Sequence, residues 1–290
     1  MGLCDEVRGS CAAIAGSARQ VAIDLDRVAA IEAGPEPELD PERHYLEGSA
    51  EEVAMFTLTL DAINFGSGWF PTLRKRPGCS GYYTLAWALT DRFRAEGPWS
   101  ASELAALDAD TVADVLGQER GHELMDFYAR ALRELGAFLG DRTALDVVAA
   151  AGGSAERLAE QLVAGIPLFE DPGFYKRAQI VPSDLTLAGV AEFADIDRLT
   201  IFADNLVPHV LRVDGVLRYT PELAATIDAG ELLPPGERER EIRACAVVAC
   251  EAIAADLGVP PRALDNWLWN RGQQPRYKAL PRHRTRTTAY

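Results

Sequence analysis

The sequence predicts a mainly α protein: one helical domain over 1–290 with a small β-hairpin near 211–219. Three observations carry this. Apolar residues return at helical spacing through several long segments, only LRVDGVLRY has the look of paired strands, and no repeat or low-complexity linker divides the chain. Hydrophobic residues make up 48% of the 290 and charged residues 25%, an ordinary composition with ample material for a core.

Taken in order, residues 11–32 place Val21, Leu25 and Val28 on one stripe and predict a helix. The segment 33–43, AGPEPELDPER, is a proline-rich acidic connector. Ser100 and Glu103 have capping-box spacing ahead of Leu104 and Leu107, which marks a helix start. Within 118–139, Leu124, Tyr128, Leu132, Leu135 and Leu139 share a face. In LRVDGVLRY, two apolar runs flank Asp214-Gly215, a pair that supplies the positive φ of a two-residue hairpin turn. The clearest helix is 237–257, where Ile242, Cys245, Ala246, Ala249, Cys250, Ile253 and Leu257 follow i, i+3, i+4, i+7. Glu237, Glu239 and Glu241 in its first turns favour the helix dipole.

Charge narrows the function. The formal net charge is −15, and such a surface repels a phosphodiester backbone, so a duplex DNA or tRNA partner is disfavoured. Residues 271–290 hold six cations and no acid, which leaves −21 on the rest. A basic tail of this kind either docks onto the acidic body or meets a small anion. No apolar run is long enough to span a membrane. An acid at position 5 argues against a signal peptide, and Glu6 stands where a myristoylation pattern wants Ser or Thr. A cytoplasmic protein is expected, and a monomer, because the prominent helix faces can all be buried internally. Five cysteines form no CxxC pair, which favours free thiols, with Cys245 and Cys250 packed on a helix face. Four scattered histidines and no HExxH or zinc spacing predict neither metal nor cofactor.

Four segments look unlike scaffold. In LDAINFGSGWF (60–70), Asp61 and Asn64 stand one helical turn apart before two glycines and two aromatics; it is either a ring-stacking loop or a helix end packing on the core. In FYKRAQI (174–180), Lys176 and Arg177 beside aromatics suit a phosphate or form a solvated face. In TIFADNLVPH (200–209), Asp204 lies in an apolar run, where a carboxylate needs a cap, an ion pair or a catalytic use. His209 is a base or a structural histidine. At the C-terminus, DNWLWN (265–270) and PRHRTR (281–286) are a disordered tail or, given Trp267, Leu268, Trp269 and Tyr290, a docked one.

Together, VRGSC (7–11), LDAINFGSGWF, FYKRAQI, LTIFADNLVPH (199–209), LDNWLWN (264–270) and PRHRTR resemble the queuosine salvage protein family, the queuosine 5′-phosphate N-glycosylases/hydrolases. The match runs in order along essentially the whole chain. It departs at Asn205, Leu206 and His209, where relatives commonly read FADYRVPQ, so family contacts from those positions are not assumed. The resemblance implies a fold similar to helix-hairpin-helix DNA glycosylases. It implies hydrolysis of queuosine 5′-monophosphate to queuine and ribose 5-phosphate, with Asp204 the catalytic carboxylate and Lys176 its partner.

A fixed anion suits an oxocarbenium-like transition state. Queuine is a 7-deazaguanine, so departure is expected to be helped at the pyrimidine edge, with Asp265 and Asp61 as acceptors. His44 is a candidate for the cyclopentene diol, Phe202, Trp69 and Trp269 for aromatic walls, and Asn205 for a further substrate contact. Lys176 with Arg282, His283, Arg284 and Arg286 is the expected phosphate-binding set. Competing readings are a glycosylase acting on damaged DNA, a queuine carrier without catalysis, and a helical module whose buried Asp204 is simply paired.

Overall fold

Helical stripes organise the chain, and the computed structural model describes residues 2–35 and 37–290, leaving out the side chains at 28–30. In chain order the first half runs α1 Leu3–Gly16, β1 Val21–Ile23, α2 Ala50–Ala62, α3 Gly81–Glu96, α4 Ala101–Ala106, α5 Ala109–Val115, α6 Glu123–Leu139, α7 Ala144–Ala150 and α8 Ala155–Gly165. The second half runs α9 Lys176–Leu187, α10 Leu206–Val213, β2 Leu217–Tyr219, α11 Pro221–Asp228, α12 Glu237–Leu257, α13 Pro261–Arg271 and α14 Pro275–Lys278. The architecture is mainly helical with one small two-stranded antiparallel sheet.

The two strongest periodicities become the two main core helices. On α6, Leu124, Tyr128, Leu132, Leu135 and Leu139 are all buried, each burial of this kind being worth roughly 1.5–3 kcal/mol. On α12, Ile242, Cys245, Ala246, Ala249, Cys250 and Ile253 are buried against α1, α10, α13 and β1. Glu239 and Glu241 at its start are also buried. Glu241 accepts the Arg19 and Gln20 amides, and Glu239 faces Arg243 at 3.4 Å. Ser100 and Glu103 form the capping box of α4. All five cysteines are free. Among the described residues, no helix is long and apolar enough to cross a membrane, and no cluster of possible metal ligands occurs.

Two expectations are corrected. The predicted 11–32 helix ends with α1 at Gly16, and Val21 belongs to β1 instead. Leu25 is 64% exposed in a 3-10 turn, and the side chain of Val28 lies outside the described residues. The hairpin at 211–219 is replaced by a helix-to-strand turn: Leu211–Val213 finish α10, Gly215 takes φ 83°, and Leu217–Tyr219 leave as β2. The partner strand is β1, with Val21 opposite Tyr219 and Ile23 opposite Leu217. A long-range pairing therefore satisfies β2, which a local reading of Asp-Gly could not reveal.

Beyond α14 the chain docks as an irregular strap. The Leu233 amide donates to Arg284 O at 2.8 Å, Asn205 Nδ2 to His283 O at 3.0 Å, and the Gly66 amide to Tyr290 O at 2.9 Å. Thr285 and Tyr290 are buried. The strap lies on Gly68 so closely that a Cβ there would sit 2.3 Å from Thr285 O.

Candidate active site

A cavity of about 460 Å³ opens where the strap, α9, α13 and the loops at 37–44, 64–70 and 202–206 converge, within the usual range for a small-molecule pocket. One stripe of α9 lines it: Lys176, Ile180, Ser183, Asp184 and Leu187, at helical spacing. The proline-rich segment at 37–41 forms part of its rim, so the connector is a wall as well as a link; position 36 lies outside the described residues.

Lys176 is set by what precedes it. Tyr175 has φ 50°, a left-handed conformation that a non-glycine residue holds only under constraint. Its amide donates to Asp171 O at 2.8 Å and its hydroxyl to Glu6 at 2.7 Å, and the Lys176 amide donates to Asp171 Oδ2 at 3.2 Å. The ammonium then donates to Asn64 O at 2.8 Å and to Asn64 Oδ1 at 3.0 Å. Asn64 Nδ2 donates to Asp61 at 3.2 Å, which orients the amide with its oxygen toward the lysine. Burial pulls the Lys176 pKa down to about 8, against the pull of Asp204, Asp61 and Asp265.

Asp204 is fixed by a helix end. Its Oδ1 accepts the amides of Leu206 at 2.7 Å and Val207 at 3.0 Å, the first turn of α10. Those orphan donors hold the carboxyl in place at the positive end of the helix dipole. Asp265 of α13 accepts the Phe202 amide at 2.8 Å; burial and the neighbouring Asp204 charge push its carboxyl well above the usual range, which favours the protonated form.

Arg243 ties the two sides together. Nε donates to Ala203 O, beside Asp204, at 2.9 Å, and the two terminal nitrogens grip Asp171 at 3.0 and 2.6 Å. The guanidinium also lies over the Phe174 ring at 3.9 Å and the Tyr290 ring at 4.7 Å. Arg177 points the other way: it donates to Ala62 O at 2.8 Å between the rings of Phe65 and Phe169. Of the Lys-Arg pair, only Lys176 reaches the cavity.

The predicted site residues divide into two groups. Asp204, Lys176, His44, Phe202, Asn205, Asp265, Trp269 and Arg282 all line the cavity. His44 does so with both ring nitrogens engaged, Nδ1 to Asp40 O at 2.9 Å and Nε2 to the Tyr82 hydroxyl at 3.0 Å. Since Nδ1 must donate to the carbonyl, Nε2 accepts, and the hydrogen-bonding group left for a ligand is Tyr82. Arg282 makes no ion pair among the described residues; burial lowers its pKa, and the Asp204 charge opposes that.

The second group stands apart. Asp61 is wholly buried behind the wall, where it holds Asn64 and cannot accept from a base. Trp69 donates to Glu123 at 2.7 Å and packs on Phe127, while Arg286 pairs with the same Glu123 at 3.2 Å. The His283 ring is buried beside Tyr290 at 3.3 Å. The Arg284 main chain bridges to residues 232–233. None of these five lines the cavity, so the phosphate-binding set shrinks to Lys176 and Arg282. His209 donates to or accepts at no cavity group; its Nε2 faces Tyr277 O at 2.8 Å, a structural contact.

Sequence reasoning missed Asp184 and Tyr82. Asp184 was visible in principle, eight residues after Lys176 on the same stripe, but Pro182 between them disguises the helix. Tyr82 has no sequence signal beyond its aromatic type.

A helix-capped carboxylate beside a desolvated lysine, in an aromatic-walled pocket of nucleotide scale, defines a helical protein with a site for charge-stabilising chemistry on a small molecule. The chain belongs to the queuosine salvage protein family, whose model matches residues 43–290. It is similar to the queuosine 5′-phosphate N-glycosylase/hydrolase of Sphaerobacter thermophilus, 38% identical over 94% of each chain. It is also similar to the proteins of the same name from Bos taurus, 32% identical over 73% of this chain and 72% of the relative, and Mus musculus, 29% identical over 83% of each.

Proposed function

We propose that this protein hydrolyses the N-glycosidic bond of queuosine 5′-monophosphate, releasing queuine and ribose 5-phosphate. The observation that carries the reading is Asp204, a carboxylate held by two α10 amides in the wall of the cavity that Lys176 also lines. As the bond from C1′ to the base nitrogen breaks, its electron pair leaves with the base, and positive charge develops on the ribose. Asp204 stabilises that charge without reorganising, because its position is already fixed. Water adds to C1′ and loses a proton, and the departing base gains one. Asp265, favoured in its protonated form, is the candidate to assist the pyrimidine edge, and Phe202 and Trp269 supply aromatic surface for the base. Lys176 and Arg282 are the cations for the 5′-phosphate end.

The test is to incubate the protein with queuosine 5′-monophosphate, and separately with queuosine, and to follow free queuine by chromatography. Release from the nucleotide, strongly reduced without the phosphate, is expected. Asp204→Asn, near-isosteric and uncharged, should lower the rate by about a thousandfold while base binding persists. A variant rate within a few-fold of wild type would remove Asp204 from the mechanism.

The same reading makes 1–290 a single cytoplasmic domain, acting as a monomer, with a scaffold related to the helix-hairpin-helix DNA glycosylases. The helical predominance supports that kinship. The tail cations support a small-molecule rather than a nucleic-acid substrate: Arg271 and Arg276 pair with Asp214, and Arg286 with Glu123, so they neutralise the body instead of presenting a basic face.

A further inference from the structure

We propose that Asp184 is the counter-ion for a secondary alkylammonium arm carried on the substrate's base, and is the residue that favours such a base over plain 7-deazaguanine. The proposal rests on the queuosine 5′-monophosphate reading above. Among the described residues, five carboxylates line the cavity. Asp204 is engaged by the α10 amides and Asp265 by the Phe202 amide. Asp40 pairs with Arg43 at 3.0 Å, and Glu38 is exposed on the rim. Asp184 remains. It lines the cavity between Ile180 and Leu187, and no hydrogen bond from the described residues reaches its carboxyl.

Lys176 acts on it through space alone, because that ammonium donates its hydrogen bonds to the two Asn64 oxygens. Eight residues of helix separate the two, roughly 12 Å along the axis at 1.5 Å per residue. Asp184 therefore springs from further along the pocket than Lys176, near Tyr82. The other ionisable groups around it are Asp61 from α2, Tyr82 from α3 and Asp265 from α13; none of them brings a cation. That carboxyl is half-buried in the wall and has no donor, and an ammonium supplied by the ligand pairs it. The aminomethyl arm of queuine offers that group, and 7-deazaguanine lacks it. Burial also pushes the Asp184 carboxyl up to about 7, with Lys176 opposing. A cation bound beside it draws the value down, so binding near pH 7 releases a proton.

The experiment measures binding rather than turnover. Free queuine and 7-deazaguanine are titrated calorimetrically into the wild-type protein, Asp184→Asn and Asp184→Glu, in two buffers of different ionisation enthalpy. Wild type should prefer queuine and release protons on binding it. Asp184→Asn should lose about tenfold or more of that preference, with 7-deazaguanine affinity kept within about threefold and no proton release. Asp184→Glu, which restores the charge, should recover part of the preference and so exclude simple misfolding. A full preference in Asp184→Asn, or an equal loss for both bases, overturns the assignment. If wild type releases queuine from the nucleotide but the preference survives in Asp184→Asn, the hydrolase reading stands and this one falls. If wild type binds neither base, this assignment falls, and release of queuine from the nucleotide decides the hydrolase reading separately.

Discussion

Replacing Gly68 by alanine tests whether the docked strap belongs to the site. The new Cβ would lie 2.3 Å from Thr285 O, 2.6 Å from Thr285 C and 2.9 Å from the Arg286 amide nitrogen, all of them backbone atoms that cannot rotate away. Restoring even a tight 3.0 Å contact requires the strap to retreat by at least about 0.7 Å. Arg282 and Tyr290, on either side of Thr285, both line the cavity and move with it. Overpacking of this kind costs about 1–3 kcal/mol, a few degrees in Tm for a chain of this size. Misplacing a substrate-positioning group by about 1 Å costs up to about a hundredfold in rate. Gly68→Ala should therefore lose far more kcat/KM for queuine release than its stability change accounts for. Trypsin cleavage at the strap arginines should accelerate in parallel. A variant with wild-type kcat/KM and a strap still protected from trypsin would refute the link between docking and activity.

Other outcomes follow from the same contacts. Burial, with Arg243, His209 and Arg282 adding to it, lowers the His283 pKa to about 3 against an ordinary value near 6.5. The unfolded chain therefore binds a proton that the native chain does not between those values, so stability falls as pH drops through that window, by up to about 1.4 kcal/mol per unit. Chemical denaturation at pH 6.5 and pH 5 should show a loss of about 1.7 kcal/mol that His283→Gln lacks; an identical slope in the variant would assign the effect elsewhere. Turnover should fall above pH 8 as Lys176 loses its proton, and Lys176→Arg should move that limb to higher pH even at a reduced rate. A limb that stays in place would exclude the ammonium as its source. Asp171→Asn leaves Arg243 short of its bidentate partner in a buried setting and should destabilise the fold by about 3 kcal/mol, read as a shifted denaturation midpoint. No measurable shift would mean that the pair contributes nothing beyond its hydrophobic surroundings.

Much of the fold was legible because its signals are local. The stripes of α6 and α12 and the Ser100–Glu103 box depend on residues within a turn or two, and they appear in the structure where the spacing placed them. Asp214-Gly215 turns the chain with positive φ at Gly215 alone, Asp214 ending α10, and the strand partner expected beside it sits at 21–23. Nothing within a few residues of Gly215 encodes that choice. The same limit governs the site. Asp204, Lys176, Asp265 and Arg282 share a cavity, whereas Trp69 and Arg286 share Glu123 outside it. An aromatic and a cation look alike in sequence whether they meet a ligand or each other. Asp61 shows the converse: its type suggested a substrate contact, but its complete burial makes it the support of Asn64.

Arg243 has a consequence for how such a protein diverges. One guanidinium holds the carbonyl next to Asp204 and the carboxylate that receives the Lys176 amide, so the reacting pair shares a single anchor in α12. The rim at 37–44 and Tyr82 attach to the scaffold elsewhere, and Asp184 sits two turns further along α9 than the lysine. Substitutions there can alter which base is admitted while the spacing of the acid and the lysine is inherited unchanged. Selection is thus free to retune what the pocket accepts without rebuilding what it does.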